Sequence, residues 1–118
     1  MHFYAISRRD LPIHQQAIQA AHAQLELSRI YPSSLSEEHP PFVWLTAKDR
    51  WELLQISAVL ESHGITVVEF HDPDYPGYDP SAIACLLREE NRYLLSEFPL
   101  WRTSKQGTLS RLIRWGRG

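Results

Sequence analysis

Phe42-Val43-Trp44-Leu45-Thr46-Ala47-Lys48-Asp49 is the stretch that decides the fold. It opens on an apolar run without polar alternation, the pattern of a strand covered on both faces, and it ends in residues suited to start a helix. Thr46-Ala47-Lys48-Asp49 reads as a capping-box-like start. Trp51, Leu53, Leu54, Ile56, Ala58, Val59 and Leu60 then give the helix a broad apolar face, which Gly64 ends. Toward the N-terminus, the Pro/Ser-rich segment 31–41 reads as an exposed connection. Before it, His2-Phe3-Tyr4-Ala5-Ile6 is aromatic and β-prone, and Pro12 suits the first turn of a helix running through about Ile30. Toward the C-terminus come a strand from Ile65 to Phe70, a Pro/Asp-rich loop over 71–80, a strand from Ala82 to Leu87 and a helix from about Arg88 to Glu97. The order β-α-β-α-β-β-α predicts an α/β layer structure with helices on both faces of a small sheet, and loop 71–80 is where a strand reverses direction.

At 118 residues the chain has room for one core. Charge divides it. Residues 1–97 hold all fourteen acids and seven of the twelve Lys and Arg, a net of −7. Residues 98–118 hold Arg102, Lys105, Arg111, Arg114 and Arg117 with Trp101 and Trp115 and no acid. The reading is therefore a single α/β domain over 1–97 and a basic, Trp-containing extension over 98–118. Basic residues interleaved with aromatics suit a phosphate backbone and stacked bases, and equally an acidic protein surface. No apolar run approaches the roughly 20 residues of a spanning helix, so no membrane role is expected. A single cysteine, Cys85, forbids an internal disulfide and points to a reducing, cytoplasmic setting; inside an apolar strand it reads as an inert thiol.

In open α/β sheets, ligands gather beyond the carboxyl ends of the strands. Three segments compete there: Ser7 to Gln16, Thr46 to Arg50, and His71 to Pro80. The first continues into a helix whose spacing sets His14, Ile18 and His22 near one stripe, with Gln15, Gln19 and Ala23 alongside. A polar stripe beside small residues suggests close packing on the sheet with one edge at a groove; each polar residue alone also fits a hydrogen-bonded packing role. In the third segment Asp72 and Asp74 are candidate acids, whereas Asp79 reads as a turn former. The spacing matches no zinc or EF-hand pattern, and the chain has no phosphate loop, nucleophile elbow or HExxH helix, so no metal and no cofactor is expected.

Arg8-x-Asp10-Leu11 after a first strand, followed by Ala17-Ile18-Gln19-Ala20-Ala21-His22-Ala23, resembles the signature of the archaeal and eukaryotic type of peptidyl-tRNA hydrolase. The likeness covers about residues 3–87. The form Phe70-His71-Asp72-Pro73-Asp74 with Ser81-Ala82-Ile83-Ala84 is closer to a bacterial and phage branch of that family. The resemblance implies a mixed four-stranded sheet and hydrolysis of the ester between a peptide and the 3′ ribose of tRNA. It places Asp72 at the family's functional aspartate and Gln15 where the family has a lysine. On this reading Asp72, Asp74, His22 and Gln15 form the catalytic set, and Arg8, Arg9, Asp10, His14 and Gln19 the substrate-binding set. Arg102, Lys105, Arg111 and Arg114 are the candidate nucleic-acid contacts. Two other functions compete. One is a non-catalytic relative that binds tRNA or another RNA; the other is an interaction module that docks a protein partner, or a second copy of itself, through Trp101, Leu109, Leu112, Ile113 and Trp115.

Overall fold

A computed structural model of the chain describes residues 1–31 and 41–101. Strand β1 (His2–Arg8), helix α1 (Ile13–Ile30), strand β2 (Phe42–Ala47), helix α2 (Arg50–Ser62), strands β3 (Val67–Phe70) and β4 (Ala82–Leu87) and a 3-10 helix (Glu89–Leu95) follow in that order. The strands form one mixed sheet, β2-β1-β4-β3. β1 is parallel to β2, with Ile6 opposite Leu45, and antiparallel to β4, with Ile6 opposite Ile83. β4 is antiparallel to β3, so β1, β2 and β3 all point the same way and end at one edge of the sheet. The reversal predicted for loop 71–80 is there. The expected connection 31–41 falls on residues of which all but Tyr31 and Pro41 lie outside the described set.

Both faces of β1 are covered, which the period of two makes legible. Tyr4 and Ile6 join Leu45, Leu53, Ile56, Leu60, Ile83 and Leu95 under α2 and the 3-10 helix. Phe3 joins Ala23, Leu27, Ala82 and Ala84 under α1. Helix α1 buries Gln16, Gln19, Ala20, Ala23 and Leu27, a stripe at helical spacing in which alanines let the helix sit close to the sheet and carry two glutamines down with it.

Pro12 stands just outside α1, at its N-cap, because its ψ of 147° is extended and helical backbone begins at Ile13. The cap of α2 lies three residues later than Thr46: the Asp49 side chain accepts from the Glu52 N–H, and Glu52 Oε1 accepts from the Lys48 N–H. Thr46 is instead buried in β2. The broad apolar face expected of α2 narrows to Leu53, Ile56, Ser57 and Leu60, while Trp51 and Val59 face solvent. Gly64, at φ +77°, closes the helix as expected: its N–H reaches the Glu61 carbonyl and the Ile65 N–H the Leu60 carbonyl.

The helix expected over 88–97 is the short 3-10 turn Glu89–Leu95, which plugs Leu95 into the core and ties back through Arg92 Nε to the Tyr4 hydroxyl at 2.8 Å. The chain then returns to the sheet. Phe98 packs on the core, and Pro99 to Trp101 run antiparallel along the outer edge of β2, the Thr46 N–H donating to the Pro99 carbonyl and the Trp101 N–H to the Trp44 carbonyl. The folded unit thus extends at least four residues past the boundary expected at 97. Among the described residues no helix is long and apolar enough to cross a membrane.

Candidate active site

The three segments named above meet at the edge where β1, β2 and β3 end. Arg50 Nε of the α2 start donates to the Asp79 carbonyl at 2.7 Å, and Arg9 beyond β1 donates to the Thr46 hydroxyl at 3.1 Å. The loop between β3 and β4 curls over α1 and opens a groove of about 540 Å³, lined by Gln15, Ile18, His22, Phe70, Asp72 and Tyr75 among others.

Asp72 is the centre of its polar wall. Its Oδ2 accepts from Gln19 Nε2 at 2.7 Å, and its Oδ1 accepts from the Asp74 N–H at 2.9 Å in a turn of its own loop. Those two donors, the Gln19 amide foremost, hold the Asp72 carboxyl below its ordinary 3.8 against an opposing cost of desolvation, and the nearby His22 adds the least to the lowering. Gln19 is buried. Its Nε2 also reaches Gln15 Oε1 at 3.1 Å, and its Oε1 accepts a close hydrogen bond from the Ser81 hydroxyl. His22 stacks on Phe70 with ring centroids 4.7 Å apart and planes 6° from parallel, which fixes the imidazole beside the groove.

Asp72, Asp74, His22, Gln15 and Gln19 are therefore brought together. The cations and their neighbours are not. Arg8, expected to face substrate, is 5% exposed: its guanidinium is paired with Asp10 through two contacts of 2.9 and 2.6 Å, lies over the Tyr78 ring and reaches the Pro80 carbonyl. Strand β1 runs two residues further than its aromatic segment suggests, and that carries Arg8 inside, where it needs Asp10 as counter-charge. Arg8 thus ties the acidic loop to the sheet with Asp10 as its counter-charge, and neither lines the Asp72 groove. Arg9 is turned toward β2, and His14 is exposed with no partner among the described residues. Arg102, Lys105, Arg111 and Arg114 lie outside the described residues.

Ser81 and Phe70 stood in the sequence only as parts of a motif, with no role of their own, since what brings them under α1 is the pairing of β3 with β4. Gln16 likewise has a use its spacing did not show. Its Nε2 donates to the Leu11 and Arg9 carbonyls while its Oε1 accepts from Trp101 Nε1 at 3.0 Å, clamping the turn into α1. Cys85 is buried and its thiol is pushed up to about 12 by desolvation, so it takes no part in chemistry at neutral pH. A larger groove of about 640 Å³ lies between α2 and the 3-10 helix, walled by Ile56, Val59, Leu94 and Phe98 with Glu52, Gln55 and Glu97 also on its lining. Among the described residues no three His, Cys, Asp or Glu side chains come together as metal ligands would. Comparison with known protein families gives no match for this chain, and comparison with curated proteins gives none.

Proposed function

We propose that the protein is an esterase of the peptidyl-tRNA hydrolase type, acting at the Asp72 groove. The observation that carries this reading is an ionised carboxylate, held from below by a buried amide, beside a stacked imidazole on an open groove. A carboxylate with lowered basicity is a good acceptor and a poor proton remover, so Asp72 orients the attacking water through its unused lone pairs and the His22 imidazole takes the proton. Water oxygen then bonds to the ester carbonyl carbon. Gln15 Oε1 is engaged by Gln19, so the amide presents its NH₂ end, and that end donates to the carbonyl oxygen as negative charge develops there. Collapse of the tetrahedral intermediate breaks the bond to the ribose 3′ oxygen, which leaves with the proton from His22. The products are a free peptide acid and tRNA, and no cofactor enters the balance.

Gln15 thus takes up, as a neutral donor, the task that the resemblance gives to a lysine. The single, buried Cys85 suits a reducing cytoplasm. The RNA-binding alternative, with its Arg102, Lys105, Arg111 and Arg114, draws on nothing in the described residues.

The test is release of free tRNA from a defined peptidyl-tRNA by purified protein. Asp72→Asn is expected to fold normally and to lose about 10²-fold or more in turnover, the scale of a lost acid–base partner. Absence of hydrolysis by the parent protein at high concentration refutes the esterase reading, and full activity in Asp72→Asn removes Asp72 from the mechanism.

A further inference from the structure

The geometry points to Ser81 as a positioning residue that sets which end of the Gln19 amide faces Asp72. This deepens the esterase reading and rests on it for its catalytic consequence, though not for its physical test. An amide side chain can present either its oxygen or its NH₂, and only the NH₂ supports an ionised carboxylate. Gln19 is buried against the sheet with three polar neighbours, Asp72, Gln15 and Ser81. Asp72 and the Gln15 oxygen are both acceptors. Ionised Asp72 has no proton to give and Gln15 turns its oxygen rather than its NH₂ to Gln19, so the donor placed at the Gln19 oxygen is the Ser81 hydroxyl.

The Ser81 hydroxyl has one proton and two acceptors in reach, Gln19 Oε1 and the Phe70 carbonyl, the latter at 3.2 Å. The Phe70 carbonyl is already served by the Ser81 N–H at 3.0 Å, so it is not left unsatisfied when the hydroxyl proton goes to Gln19. With the proton on that bond, the amide oxygen is fixed toward Ser81, its NH₂ spans Gln15 and Asp72, and Asp72 stays an acceptor. With the proton turned to Phe70, the Ser81 oxygen would accept from Gln19 instead, and the amide oxygen would face a carboxylate. That arrangement fits only a protonated Asp72. The hydroxyl proton and the Asp72 proton are therefore alternatives: the network has one polarity for each charge state of the carboxylate. Ser81 itself is fully buried just before β4 and touches no solvent, so it acts through Gln19 and not on substrate.

The experiment is a carbon-detected NMR titration of the Asp72 carboxyl, without substrate, in the parent protein, Ser81→Ala, Ser81→Thr and Gln19→Ala, with amide spectra confirming that each is folded. Ser81→Ala is expected to move the Asp72 midpoint upward, in the same direction as Gln19→Ala. Ser81→Thr, which keeps the hydroxyl, is expected to restore the low midpoint. An Asp72 midpoint that stays put in a folded Ser81→Ala while Gln19→Ala moves it overturns the proposal, because Gln19 is then oriented without the serine. A second readout follows from the sign. Where hydrolysis needs ionised Asp72, a raised midpoint shifts the acid limb of the rate profile to higher pH in Ser81→Ala and not in Ser81→Thr. The titration stands whether or not peptidyl-tRNA is the substrate, so failure of the esterase assay and failure of this proposal are separately visible.

Discussion

Arg8 shows how one side chain changes meaning once its neighbours are known. In the sequence it stands next to Arg9 after a strand, and two adjacent arginines beside an acidic loop read as a pair of substrate-facing cations. In the fold the two diverge, because Arg8 is the last residue of β1 and is buried while Arg9 lies in the turn beyond it, and only Arg9 keeps solvent access. Removing its partner exposes the cost. Asp10→Ala leaves the Arg8 guanidinium buried and uncompensated, and is expected to lower stability by about 2 kcal/mol, between the values for exposed and buried pairs. Chemical denaturation of the variant checks this, and an unchanged midpoint would show that the Pro80 carbonyl and the Tyr78 ring suffice for Arg8. Gln15, Gln19, His22 and Asp72, which the sequence named and the fold brings together, share a reason. Three lie at spacings of three to four on one helix, where geometry is local, and the fourth sits in the loop that follows the third strand, beyond the carboxyl ends where ligands gather. Ser81 escaped because its partner is sixty-two positions away in the chain.

At the scale of elements, the signals at helix ends are the ones that can be shifted by a turn without changing the fold. Asp49 rather than Thr46 caps α2, since hydrogen bonding in β2 holds Thr46 in the strand and the chain leaves the sheet only afterwards. Gly64 was legible because a left-handed residue after a helix admits few substitutes. Gly64→Ala meets no atom within 4 Å, so its expected loss of about 1 kcal/mol comes from backbone conformation alone. Thermal unfolding measures it, and Gly64→Asn, which tolerates positive φ better, is expected to lose less. The 3-10 segment was less legible. Apolar residues at Leu94 and Leu95 fit an α-helix as readily, and what tightens the turn is tertiary: Leu95 has to enter the core while Arg92 reaches Tyr4.

For the molecule as a whole, the alternation of strands and helices and the placing of helices on both faces of the sheet were readable from apolar patterning, whereas the strand read as covered on both faces, β2, is an edge strand with Phe42 exposed. The order β2-β1-β4-β3 was not readable, because no local signal states which strand lies between which. Nor was the way the chain finishes. Pro99 to Trp101 cover the outer edge of β2, a strand that would otherwise offer its free backbone groups to another chain, while the opposite edge is left to the four residues of β3. The same strap presses Trp101 onto Trp44 with ring centroids 4.3 Å apart and planes 9° from parallel. Two indoles that close share their excitation. The protein thus carries its own optical gauge of whether the strap is seated, readable without a label. Trp101→Phe is expected to return Trp44 to the absorption and emission of a solitary indole, and in the parent protein any ligand or partner that peels the strap from β2 would change the colour and yield of its fluorescence in the same direction.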